Sequence, residues 1–133
     1  MKNKEYYNWL REKTVVTKDE RTGWIAITTP FLGLFNDNIE IYAKLDNGKL
    51  ILSDDGMTLA NLELAGVPVL RSPKRKKWLE MVLLKHGITL NENNELQVIG
   101  TEKDFNQKKY SLICAIYEIS DTAMMANKKN KFN

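Results

Sequence analysis

Four carboxylates, Asp37, Glu40, Asp54 and Asp55, and one amine, Lys44, are the side chains of this chain best suited to phosphodiester chemistry. Two or three carboxylates brought together hold magnesium, which activates water and polarises a phosphoryl oxygen, while a lysine offsets developing charge. A second group suits binding rather than turnover. In "RSPKRKK", residues 71–77, the cations Arg71, Lys74, Arg75, Lys76 and Lys77 crowd a helix start that Ser72 can cap. The amino end of a helix is already partly positive, so each cation in its first turn costs on the order of 0.3–1 kcal/mol at low salt. Free N–H groups, a hydroxyl and several cations suit a phosphate or a carboxylate-rich protein surface. The competing reading is a solvated basic patch, neutralised by Glu80 or by Asp37, Asp54 or Asp55 from the end of a sheet.

Other chemistries lack their parts. His86 is the single histidine and Cys114 the single cysteine, so four nitrogen or sulfur ligands for zinc are not available. Cys114 sits in an apolar run with no evident base to activate it, and His86, near a helix end, complements the helix dipole. The seven glycines fall at turns and helix ends rather than in a phosphate-cradling loop. No metal site and no cofactor are expected, magnesium entering only with the acidic alternative.

The acids depend on a hairpin. In "NIEIYAKLDNGKLILSDDG", Asn47-Gly48 separates two strand-like runs and suits a tight two-residue turn. That register sets Asp46 against Lys49, Leu45 against Leu50, Ala43 against Leu52 and Ile41 against Asp54, giving one apolar face. Asp37 then precedes one strand while Asp54 and Asp55 follow the other, at the same end of the sheet. Capping chemistry offers a plainer role, in which Asp54 or Asp55 caps the next helix while Gly56 makes the turn.

Around the hairpin, Tyr6, Trp9 and Leu10 mark a short helix over 5–13 that packs on a sheet, and "GWIAITTP" reads as a strand from Trp24 to Thr29 stopped by Pro30. Leu59, Leu62 and Ala65 form a short helix ending at Gly66. The basic helix takes Pro73 at its first position, ends at Gly87, and draws its buried stripe from Trp78, Met81, Val82 and Lys85 or Leu84. A looser hairpin turns near Asn91 to Asn94. Thr101 to Asp104 resembles a capping box that opens a long helix, with Phe105, Leu112, Ile113, Ile116, Ile119 and Ala123 inward. The order is α-β-β-β-α-α-β-β-α, an α+β single domain over 1–126 around a largely antiparallel sheet. A basic tail, 127–133, is expected to fray. The loop "PFLGLFND" places Phe31, Leu32, Leu34 and Phe35 together, either as a lid on the core or, if exposed, as an apolar partner contact.

The 133 residues, 43% hydrophobic and 28% charged, fit one soluble domain without a membrane segment, and "MKNKEYYNWL", which lacks an apolar stretch with a small-residue cleavage site, argues against secretion. A cytoplasmic location is expected. Net charge is +3, but residues 1–70 carry 8 basic and 10 acidic side chains against 12 and 7 in residues 71–133. The positive charge is therefore local to the second half.

Taken together, Ile27 to Phe31 (ITTPF), Asn36-Asp37, Tyr42, Leu52 to Gly56 (LSDDG), Leu59, Leu62 and Ser72-Pro73 with Arg75 form a combination with a precedent. It resembles a family of prokaryotic and phage proteins, numbered eighteen twenty-eight among the domains of unknown function, over about residues 5–120. The resemblance implies context: cargo of phages and mobile elements, where small domains regulate or inhibit nucleic-acid machinery. With the basic stretch, it leads to a non-enzymatic protein that binds nucleic acid or a nucleic-acid-processing enzyme, such as an inhibitor of a host defence nuclease. The alternative is a metal-dependent phosphodiesterase, since the element order also resembles the restriction-endonuclease-like core. The third strand, "KLILSDD", carries no acid-x-lysine motif where that second resemblance needs one. A homo-oligomeric module, joined through the last helix or the apolar loop, is a third possibility.

Overall fold

Asn47 and Gly48 take left-handed backbone angles, φ 51° and 78°, as a two-residue turn between right-twisted strands requires. The computed structural model, which describes the backbone of residues 2–132 and the side chains of residues 3–126, thus joins β3 (Asn38–Asp46) to β4 (Lys49–Ser53). Asp46 pairs with Lys49, Leu45 with Leu50 and Ala43 with Leu52, the register read from the sequence. Alternation buries Ile41, Ala43, Leu50 and Leu52 on one face. The ladder stops at Tyr42–Ser53, so the expected Ile41–Asp54 pair does not form. Asp54 instead leaves the hairpin, its N–H donating to the Leu96 carbonyl at 3.1 Å.

β2 (Ile25–Leu32) runs through Pro30 rather than stopping at Thr29. Its register on β3 shifts between Thr28 and Leu32, so the missing proline N–H falls where the ladder is already interrupted. Thr29 is buried there; its hydroxyl donates to the Ile39 carbonyl at 2.8 Å and accepts from the Phe31 N–H at 3.3 Å. On the other side of β2 lies β1 (Val15–Lys18), a short strand the sequence reading passed over. All four of its residues are exposed, so it carries no buried alternation to find. β5 (Thr89–Leu90) and β6 (Leu96–Gly100) make the second hairpin around Asn91–Glu95, and β6 pairs with β4. The sheet is antiparallel, in the order β1-β2-β3-β4-β6-β5.

Among the described residues, four α-helices complete an α+β domain with the expected order of elements and β1 in addition: α1 (Lys2–Lys13), α2 (Met57–Leu64), α3 (Pro73–His86) and α4 (Phe105–Phe132). α1 touches β2 but leaves Tyr6 and Trp9 exposed, where sheet packing was expected. The capping box before α4 is present, with the Thr101 N–H donating to Asp104 Oδ1 at 2.6 Å. Leu112, Ile113, Ile116, Ile119 and Ala123 are buried where α4 crosses β4 and β6 and receives α2 and α3. The basic tail expected over 127–133 lies, for its side chains, outside the described residues. Among the described residues no helix is long and apolar enough to cross a membrane.

α3 begins and ends as its sequence demands: Pro73 holds the first position, the Ser72 hydroxyl accepts the Arg75 N–H at 3.2 Å, and Gly87 closes it at φ 70°. Its buried stripe is turned by one residue from the expectation. Leu79, Val82 and Leu83 are buried, whereas Met81 and Leu84 are 68% and 83% exposed. Leu79, Val82 and Leu83 hold the i, i+3, i+4 spacing, and Trp78 sits at the edge of that stripe with one side against the core.

Candidate functional site

Asp37, Glu40 and Asp54 line one cavity of about 290 Å³ at the end of the sheet, with Tyr42, Thr58 and Asn61. Proximity does not make them a metal site, because the central carboxylate is already used. Asp54 is 1% exposed; its Oδ1 accepts the Gly56 and Leu96 N–H groups, each at 2.8 Å, and its Oδ2 accepts that of Thr58 at 3.0 Å. Burial pushes its carboxyl above the usual carboxylate value, while the bonds from Thr58, Gly56 and Leu96 pull in the opposite direction. Asp54 thus performs the capping role that local chemistry offered, and fastens β6 to the start of α2 besides.

Asp55 and Lys44 lie apart from that cavity. Asp55 faces a different recess with Trp24, Tyr42, Ser53 and Glu95, its N–H donating to Ser53 Oγ at 3.0 Å. Lys44 Nζ lies 5.7 Å from the Trp24 ring centre rather than over the acids. Burial, and then the carboxylates of Glu40 and Asp55, push the Tyr42 hydroxyl above its ordinary value. Among the described residues no group of three or more histidines, cysteines, aspartates or glutamates is placed to hold a metal ion. The residues present do not fit the magnesium-bearing alternative.

The cations behave differently. Arg71 is held by Glu63 at 2.8 Å, between two exposed side chains. Lys74, Lys76 and Lys77 are exposed and Arg75 is half-buried, and none of the ion pairs among the described residues uses them. Glu80, Asp37, Asp54 and Asp55, the partners a neutralised patch requires, make no ion pair there either. Lys74 and Arg75 stand on the rim of a groove of about 600 Å³ between the start of α3 and the later part of α4. Its walls are mainly apolar and include Trp78, Val69 and Ala123.

The family described as Domain of unknown function DUF1828 matches residues 29–119. The chain belongs to this family. The DUF1828 match takes in the Thr29 bulge, the Asp54 joint and the whole of α3, leaving outside it α1, β1 and the end of α4. No curated protein and no solved structure matches the chain.

Within the DUF1828 region, the apolar loop divides its side chains. Phe31 and Leu34 pack against the core, Phe31 meeting the Tyr117 ring edge-on at 6.4 Å between centres. Leu32 and Phe35 are about half exposed. Phe35 holds φ 65° and Asn36 φ 60°, a left-handed pair that turns the chain back toward β3 and is strained for a phenylalanine.

Sequence reasoning missed the clamp on the far end of α3. Lys85 Nζ and His86 Nε2 lie 2.9 and 3.0 Å from the same oxygen, Oε1 of Glu118 on α4. Only the placement of the lone histidine near a helix end pointed there; its acceptor is 32 residues away. The hydrogen bond from His86, then that from Lys85, hold the Glu118 carboxyl below its usual range. A depressed folded value means that the stabilisation is complete above the ordinary carboxylate value and is lost as pH falls through the depressed one. Glu118→Gln therefore lowers stability at neutral pH by about 0.5–1 kcal/mol, the scale of a partly exposed pair. Denaturation at a series of pH values checks this, since the gap between variant and wild type closes in acid.

Proposed function

We propose that this DUF1828 protein is a non-enzymatic binding protein which engages nucleic acid through the basic start of α3. One observation carries the reading: Lys74, Lys76 and Lys77 are exposed without an acidic partner among the described residues, in the half of the chain that holds the excess positive charge. Unneutralised cations at a helix start raise each other's cost and are relieved when phosphates arrive and counterions leave. Arg75 and the groove beside it add a place for a ligand to settle rather than slide. Control of nucleic-acid machinery, including inhibition of a defence nuclease in a phage or mobile element, is the role such binding serves.

Fluorescence anisotropy with labelled oligonucleotides across a salt series tests the reading. Lys74→Ala, Lys76→Ala and Lys77→Ala together reduce affinity about tenfold or more near physiological salt and flatten the dependence of log K on log salt by roughly 2 to 3. Unchanged affinity and slope in the triple variant exclude α3 as the contact.

A further inference from the structure

The groove between α3 and α4 combines two properties that no single simple ligand satisfies. Its walls are mainly apolar, with Val69 and Trp78 on the α3 side and Ala123 and Ala126 on α4, and Ser72 and Thr122 as polar members. Its rim is cationic, through Lys74 and Arg75, and no carboxylate is among its described lining residues. An inorganic anion would leave the apolar walls wet. An uncharged apolar molecule would leave the cations without counter-charge. At about 600 Å³ the groove falls within the range of small-ligand sites, roughly 300–1,000 Å³.

We infer that this groove accepts one unpaired base of a single-stranded nucleic acid against Trp78, with the adjoining phosphates at Lys74 and Arg75. The inference rests on the nucleic-acid reading above and narrows it to single strands. Trp78 packs by one side against the core, so that the indole is held in place before any ligand arrives. A fixed aromatic surface opposite small side chains suits a flat ring, and every base presents one, so the contact does not select sequence. In a duplex the bases are stacked and paired, and none reaches such a slot without being pulled out. Trp78 argues for a strand over an acidic peptide, because a run of carboxylate side chains brings no flat ring to the indole, and the cations suit the strand's phosphates. Lys74, Arg75, Lys76 and Lys77 follow one another around α3 at roughly 100° per residue, and a flexible chain with a charge on every unit can meet several of them at once.

Trp78 becomes the only tryptophan when Trp9→Phe and Trp24→Phe are introduced, and its emission then reports on the groove. Four probes separate the outcomes: oligothymidylate, an abasic deoxyribose-phosphate oligomer of equal length, a duplex, and polyglutamate. Oligothymidylate should quench Trp78 and bind about fivefold to a hundredfold more tightly than the abasic oligomer, the measured worth of stacking one base. Duplex should bind without quenching. Trp78→Ala should erase the preference for bases while keeping the salt slope. Should that variant fail to fold, Ala126→Leu at an exposed position of α4 narrows the groove and should give the same loss. Equal affinity for oligothymidylate and the abasic oligomer, without quenching, overturns the base slot and leaves the phosphate reading intact. Polyglutamate binding as tightly as oligothymidylate overturns the choice of nucleic acid. If none of the four binds, the inference and the reading beneath it fall together.

Discussion

Replacing Asp54 by alanine lowers the unfolding free energy by roughly 3–5 kcal/mol, a large share of the stability of a domain this size. The reason is the three backbone N–H groups, of Gly56, Thr58 and Leu96, that converge at 2.8 to 3.0 Å on one buried carboxylate at the wall of the cavity. Truncation leaves buried donors with nothing to accept them, and each costs about 1–3 kcal/mol unless water enters. Asp54→Asn is milder, about 1–3 kcal/mol, because its carbonyl oxygen keeps one pair of donors while its amide group confronts a third. Urea denaturation measures both; a loss below about 1 kcal/mol for alanine would show that the joint is not structural. The pH response runs opposite to that of Glu118. Because burial raises the Asp54 carboxyl in the folded state, the folded protein holds its proton more tightly, and stability falls as pH climbs from the ordinary carboxylate value through the raised one. Asp54→Asn removes that slope.

Leu62→Ala costs a further large amount, about 2–5 kcal/mol, since Leu62 is fully buried where α2 meets α4. The control lies two residues along the same helix. Leu64 is 80% exposed, and Leu64→Ala stays within about 0.5 kcal/mol of wild type. A midpoint shift for Leu62→Ala at unchanged denaturant slope identifies lost packing; equal shifts for the two leucines would mean that α2 docks by another face. Asp54 holds the first turn of α2 through the Thr58 N–H and Leu62 holds its second, so the double variant should be non-additive.

What the sequence discloses here is whatever its neighbours in the chain decide. Asn47-Gly48, Ser72-Pro73, Gly87 and Thr101 with Asp104 each satisfy a backbone requirement within a few residues, and each performs the role its chemistry announces. The acids illustrate the limit. Asp54 reads as a cap from its position before α2, but its bond to Leu96 spans 42 residues and depends on β6 arriving beside β4. Pro30 reads as a stop because the bulge that tolerates it is supplied by Thr29 bonding across to Ile39. In α3, Trp78 and Leu79 are both apolar, so spacing alone leaves the stripe free to turn by one residue until α4 fixes it. The basic run was visible from composition; the groove beside it was not, because α4 supplies its other wall from more than forty positions downstream.

The bond between Asp54 and Leu96 also sets an order of events at the ribosome. β3 and β4 are adjacent in the chain and can pair within microseconds of emerging. β4 must then wait for its second neighbour while α2 and α3 are made, and synthesis at about 5–20 residues per second puts that interval at roughly 2–8 s. Throughout it, Leu50 and Leu52 stand on a strand edge that β6 has yet to cover. Lys49 is the charge at the head of that strand, and Asp54, still without its Leu96 donor, is the charge at its foot. The residue that locks the finished sheet therefore begins its life as a guard on the unfinished one.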